Sequence, residues 1–405
     1  MDPICKPEDV GLSSARLELI QPWIQTYLDA GKLPGATIFV ARHGKAAYCK
    51  TFGLRDVETN QPMQTDTILR FYSMTKPITA VALLMLYEEG HFQLDDPVAE
   101  FIPGFKDLRV YVSGDVDDMV TEPLCQQMTL HHLLTHTSGL TYGFGEEGPI
   151  PKLYQKHHTD FDDQDGPLEA VVERLAKIPL QFQPGKRWNY GVSFDVLGRV
   201  VEVVSGQPLD RFFQERIFKP LNMVDTGFAI PHDKVHRFAS LYERIEEENL
   251  SLLEAPGNST LVDTVETFSG GGGLVSTLDD YFRFSEMMRR KGQLDGARLL
   301  GRKTVEYMTC NHLPGDLADM GQPVFTETSY EGIGFGLGVS VMLDPARAKV
   351  MGSPGEYAWG GYASTAFWTD PREDMTVIFL TQLIPSSAYP IRRELRVLTY
   401  QALIG

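Results

Sequence analysis

The sequence predicts an α/β (α+β) fold in which an antiparallel sheet, flanked by helices, is built from both ends of the chain around an inserted helical region. Two strand patterns fall in 36–52 and three more in 335–382, each a short alternating apolar run bounded by turn residues. The stretch between them carries helical spacing instead. No repeat or low-complexity segment breaks this order. The expected boundaries are 1–75 with 270–405 for the sheet region and 76–269 for the mainly helical region, together one discontinuous unit.

The elements follow in order. Ser13 or Ser14 can cap a helix whose apolar residues Leu17, Ile20, Ile24 and Leu28 recur at helical spacing, closed by Gly31 and Pro34. Strands over 36–42 and 46–52 turn at His43-Gly44. From Thr75 to Glu89 a dense run of Ala, Val, Leu and Met implies a helix buried on nearly all sides, central to the helical region. Shorter helices are expected over 129–136, 168–177, 194–204 and 279–290. The Gly-, Pro-, Asp- and His-rich stretch 138–166 lacks periodicity and reads as a surface excursion that could wall a pocket. Strands over 335–343, 362–369 and 375–382, then a helix over 391–403, complete the chain.

Composition narrows the function. With 37 basic against 54 acidic residues the formal charge is -17, and the Lys and Arg residues are scattered, so nucleic acid and anionic membrane surfaces are unsuitable partners. The longest apolar run, Ala80 to Tyr87, is far shorter than the roughly 20 residues of a membrane-spanning helix. Four widely spaced cysteines and an N-terminus without a charged start or apolar stretch suit a cytoplasmic protein.

Ser73-Met74-Thr75-Lys76 is the one place where a serine stands three residues before a lysine. At the start of a helix, with Pro77 in the first turn, that spacing lays the amine of Lys76 against the hydroxyl of Ser73. The positive end of the helix dipole points at the serine. Apolar neighbours Phe71, Tyr72 and Ile78 to Leu84 disfavour a charged amine, and a lysine that can shed its proton can activate a hydroxyl. Tyr190, in a Pro184-Gly185-led turn entering a helix, can offer a second proton-transferring hydroxyl. Trp359-Gly360-Gly361-Tyr362 pairs two glycines that leave amide hydrogens accessible to a substrate oxygen.

In that order, with Leu133 to Leu140 and with Gly270 to Thr277 followed by Asp280-Tyr281, these elements resemble the serine β-lactamase and penicillin-binding protein superfamily. The chain is most similar to its class C-like branch and, within that, to the family VIII carboxylesterases. The resemblance spans nearly the whole chain. It implies a β-lactamase/transpeptidase-like fold with the active site between the sheet and an all-helical subdomain. It further implies Ser73 as nucleophile, Lys76 and Tyr190 as the base and acid pair, and the amides of Ser73 and Tyr362 as oxyanion hole.

Two departures point away from β-lactams. The lactamase branch usually has Lys-Thr-Gly where Trp359-Gly360-Gly361 stands, and Trp359 supplies an apolar wall rather than a charge for a carboxylate. The Asn common in the tyrosine motif is Val192 here. Trp359, Gly360, Gly361 and Val192 are therefore expected to bind a small neutral ester of short or medium acyl chain, hydrolysed through an acyl-enzyme with no cofactor and no metal. An acyltransferase, a β-lactamase or D-amino peptide hydrolase, and a silent scaffold are the alternatives. His132 and His136 lack the Glu and third ligand of a zinc protease site, and His157-His158 reads as a solvated loop. Asp160 to Gly166 fails the calcium-loop register, Gly270 to Gly273 lacks the lysine of a phosphate loop, and no Gly-x-Ser-x-Gly elbow occurs.

Overall fold

The computed structural model describes residues 4–405 except 146, 246–248, 326–327 and 387. β1 (Gly35–Arg42) and β2 (Lys45–Asp56) form the expected hairpin, and β3 (Gln61–Pro62) adds an edge. The C-terminal part supplies β4 (Ile333–Phe335), β5 (Ser340–Met342), β6 (Tyr357–Gly360), β7 (Ala366–Asp370) and β8 (Met375–Leu380). They pair antiparallel throughout in the order β4-β5-β6-β7-β8-β1-β2-β3. The two ends of the chain therefore meet at β1 and β8, in register from Thr37 opposite Leu380 to Arg42 opposite Met375.

Strand alternation divides the interior. Ile38, Val40, Trp368, Val377 and Phe379 point to one face, where they pack with Ile20 and Ile24 of α1 (Ile20–Asp29) and Leu395 of the terminal helix Ile391–Tyr400. Phe39, Phe367, Ile378 and Leu380 point to the other and join the larger core of the helical region. With both faces covered, β1 and β8 are buried along their whole length, which is why they read as nearly continuous apolar runs.

α2 (Lys76–Glu88) is buried from Lys76 through Leu86, as its composition implies. Around it lie α3 (Leu130–Leu134), α4 (Pro149–His157), α5 (Leu168–Leu175) and α6 (Ser193–Ser205), with α7 (Leu278–Arg289) between this core and the sheet. α8 (Ile391–Tyr400) closes the chain. The span 76–269 also holds two hairpins, Arg109–Ser113 with Val120–Pro123 and Leu241–Ile245 with Asn249–Glu254. No helix among the described residues is long and apolar enough to cross a membrane.

Four local expectations are corrected. The excursion 138–166 contains α4, whose Ile150, Pro151 and Tyr154 face the core; its prolines lie in the first turn, where they cost no helical hydrogen bond. The strand expected over 335–343 is two strands joined by a tight turn in which Gly338 is left-handed (φ 88°). The strand expected from Tyr362 begins only at Ala366. Trp359 and Gly360 lie instead at the end of β6, and Tyr362 occupies the turn that follows. Finally, the first helix breaks after Leu17: Ser13 caps a single turn, Ser14–Leu17, and α1 starts at Ile20.

Candidate active site

Ser73 sits in a 3-10 turn, Tyr72–Thr75, that leads straight into α2. Tyr72 before it is left-handed (φ 45°), a conformation costing a non-glycine residue roughly 1–2 kcal/mol that the packed surroundings must impose. The turn is tied at Phe71, whose N–H donates to Leu274 O at 3.0 Å and whose carbonyl accepts from Met74 N at 3.1 Å. Ser73 is thereby presented at the N-terminus of a rigid helix.

Lys76 is fully buried, and its amine has three oxygen partners. Nζ donates to Ser73 Oγ at 3.0 Å, Tyr142 Oη at 3.1 Å and Gly271 O at 2.7 Å, which uses every donor an ammonium has. The Tyr190 ring lies 4.5 Å from the same nitrogen, within cation–π range. Tyr190 Oη donates to Ser73 Oγ at 2.5 Å, so the serine oxygen is held between the lysine and a phenol. Rings back the phenol on several sides: His136 at 4.9 Å, Tyr142 at 5.4 Å, Trp359 at 5.6 Å and Trp188 stacked at 6.1 Å.

Beneath Lys76, Asp195 in the first turn of α6 is buried. Its Oδ1 accepts from Ser269 Oγ at 2.5 Å and Gly271 N at 2.9 Å. Burial pushes its carboxyl up to about 6 from an ordinary 3.8, while the Lys76 charge pulls the other way. Within the glycine run 270–273 the backbone is hemmed in at Gly270 and Gly271: a Cβ on Gly271 would strike Asp195, and one on Gly270 would meet Phe194 O. Burial raises the Tyr142 hydroxyl well above its usual range, with Tyr190 adding to it, so Tyr142 stays protonated as a neutral partner of Lys76.

Gly361 completes the cleft from the sheet side. Its backbone abuts the Phe71 carbonyl so closely that a Cβ would collide with it and with Thr365 Oγ1. That approach brings the Tyr362 amide beside the Ser73 turn. Neither the Ser73 nor the Tyr362 N–H donates to a protein acceptor among the described residues. At the mouth, Phe144 (53% exposed) stacks on Tyr142 at 4.7 Å and lies 6.0 Å from Tyr362 (43% exposed), which meets Tyr72 edge-on at 5.9 Å.

A serine bonded to both a buried lysine and a tyrosine is accompanied by a match over nearly the whole chain. The family model described as Beta-lactamase matches residues 20–401. The chain belongs to the Beta-lactamase family. An uncharacterised protein of Mycobacterium tuberculosis is 35% identical over 374 residues, 90% of each chain. Esterase EstB of Burkholderia gladioli is 33% identical over 401 residues, covering 94% of this chain and 93% of its own. Among solved structures, EstCE1, described as a hydrolase with promiscuous acyltransferase activity, superposes with a TM-score of 0.79 at 27% identity, covering 96% of this chain and 99% of its own.

Of the residues that resemblance singled out, Ser73, Lys76, Tyr190, Gly361 and Tyr362 lie together as described, while Gly360, at the end of β6, packs against Arg392 and the Thr365 carbonyl. Trp359 also arrives, but only 7% of it is exposed. It packs between Phe335 (5.3 Å) and Tyr190, so it backs the phenol more than it walls the cleft. Val192, expected to touch substrate, is the N-cap residue of α6 and is fully buried in the main core.

Four residues of the site were missed by sequence reasoning: Tyr142, Phe144, Asp195 and His136. Asp195 did carry a signal, being an acid set among Phe194, Val196 and Leu197. His136 is buried among Trp188, Tyr190, Phe194 and Phe335, and neither ring nitrogen has a partner among the described residues. Burial, with Lys76 assisting, holds it well below its ordinary range and hence neutral. His132, its companion at helical spacing, instead accepts from Thr129 N through Nδ1 in the capping box of α3.

Proposed function

We propose that this chain is a serine carboxylesterase of the family VIII type, acting in the cytoplasm on small neutral esters. The observation that carries the reading is the Ser73 hydroxyl held by Lys76 Nζ at 3.0 Å and Tyr190 Oη at 2.5 Å inside a buried site. With one member of the Lys76/Tyr190 pair deprotonated, Ser73 Oγ attacks the ester carbonyl as its proton passes to that member, and the carbonyl oxygen gains the negative charge. The Ser73 and Tyr362 amides, which donate to no protein acceptor among the described residues, receive that oxyanion. The tetrahedral adduct collapses, the alcohol leaves with the proton returned by the pair, and an acyl-enzyme remains. Water then attacks by the same route and releases the acid.

Neutral esters fit best. The net charge of -17 disfavours anionic substrates at long range, and a tryptophan stands where a lysine would attract a carboxylate. The exposed rings of Phe144 and Tyr362 give the mouth an apolar rim for short or medium acyl chains. Four free cysteines accord with a reducing compartment. Acyl transfer is the second reading, favoured by the likeness to EstCE1, and differs only in whether an alcohol or water takes the acyl group.

The test is turnover of p-nitrophenyl butyrate and of a chromogenic cephalosporin by wild type and Ser73→Ala. Ester cleavage should fall by a factor of about 10³ or more in the variant, with little cephalosporin cleavage by either protein. Full esterase activity in Ser73→Ala would overturn the reading.

A further inference from the structure

The peptide linking Gly361 to Tyr362 presents two ends in opposite directions, because a trans amide points its N–H and its C=O apart. The N–H is that of Tyr362, the donor the esterase reading assigns to the oxyanion. The carbonyl, on Gly361, turns away from the cleft toward α8. There Arg392 Nη2 donates to Gly361 O at 3.1 Å and to Thr365 O at 3.0 Å, while Ser364 N donates to Gly361 O at 3.1 Å.

The neighbouring glycine independently marks this contact. A Cβ on Gly360 would lie 2.8 Å from Arg392 Nη2, 2.9 Å from its Cζ and 2.9 Å from Thr365 O, so a side chain at 360 would crowd both the guanidinium and the carbonyl it binds. The paired glycines thus have separate tasks: Gly361 lets the backbone close on Phe71, and Gly360 lets an arginine reach the rear of the same loop.

We propose that Arg392 is a positioning residue for the oxyanion hole, clamping and polarising the Gly361–Tyr362 peptide from behind the sheet. The inference rests on the esterase reading above, in which the Tyr362 N–H receives the oxyanion. A cation donating to the carbonyl of an amide draws charge toward that oxygen and makes the N–H at its other end a stronger donor. Bonds from charged donors are about twice as strong as neutral ones. Arg392 touches no reacting atom. Its effect therefore belongs to the transition state, where the oxyanion forms, and not to ground-state binding of the ester.

Arg392→Gln should lower kcat for p-nitrophenyl butyrate about tenfold, less than the 10²–10³ lost with an oxyanion donor itself, and leave KM within about twofold. A trifluoromethyl ketone, whose adduct with Ser73 places an oxyanion in the hole, should bind about tenfold more weakly. Arg392→Lys, which restores a cation, should recover both to within about threefold of wild type. Arg392→Met, a second removal of the cation that keeps an unbranched side chain, should reproduce the kcat loss and covers the case in which Arg392→Gln does not fold.

A purely structural Arg392 would lower melting temperature and active-site content but leave kcat per active site and ketone affinity unchanged. That result would overturn the inference. Failure of the wild type itself to cleave esters or bind the ketone would instead overturn the functional reading beneath it.

Discussion

Replacing Lys76 with methionine keeps the volume of a fully buried side chain and removes its charge, which exposes how Asp195 depends on it. In the folded protein the Asp195 carboxyl stands near 6 against an ordinary 3.8, and the Lys76 charge is the largest influence holding it down. The difference of about 2, at 1.36 kcal/mol each, means that ionising the carboxyl already costs about 3 kcal/mol of folding free energy. An opposite charge nearby is worth about 1 to 3 in pKa, so Lys76→Met should add about 1–3 kcal/mol to that cost at about pH 8. The sign follows from proton binding. A carboxyl raised in the folded state holds its proton more tightly there than in the unfolded chain, so its cost is full above the folded value and fades as pH falls through it. At about pH 5 both proteins carry Asp195 largely protonated, and this contribution to the gap between them disappears. Urea unfolding followed by circular dichroism at about pH 5 and about pH 8 should show the variant's deficit growing with pH. A deficit equal at both values, or larger in acid, would refute the coupling.

Gly271→Ala should destabilise by about 1–3 kcal/mol and cut kcat by 10-fold or more, roughly, because its Cβ would displace Asp195 or the carbonyl that holds Lys76. Gly272→Ala, whose Cβ would have no neighbour nearer than 3.9 Å, should leave thermal stability nearly unchanged, and the pair of melting curves checks the contrast. Trp359→Ala should cost about 3–5 kcal/mol by emptying space between Phe335 and Tyr190. In steady-state kinetics its kcat should fall more than its KM rises; a change confined to KM in a stable variant would restore Trp359 as a wall of the cleft.

The site's covalent centre was legible because its chemistry is local. Ser73 and Lys76 are one helical turn apart, so spacing alone brings the amine to the hydroxyl. The sheet was legible where strands are buried on both faces, as in β1 and β8. β6 was not, since four residues ending in Gly360 between glycine-rich turns carry too little alternation to stand out. α4 was hidden by prolines that read as loop residues when their place in a first turn is unknown. The contributions of Tyr142, Asp195 and Arg392 depend on contacts across 66, 76 and 31 positions, which no local pattern encodes. Val192 shows the converse: its position in the tyrosine motif suggested a substrate contact, and packing buried it.

The central claim is that Ser73 is the nucleophile activated by Lys76 and Tyr190, and covalent labelling reads it without any assumption about the natural ester. A p-nitrophenyl phosphonate would be incubated with wild type, Ser73→Ala and Lys76→Met, each followed by intact mass and peptide mapping. The account predicts a single adduct on the peptide bearing Ser73, none in Ser73→Ala, and labelling slowed by about 10²-fold or more in Lys76→Met. An adduct on another residue, or labelling of Lys76→Met at the wild-type rate, would contradict it.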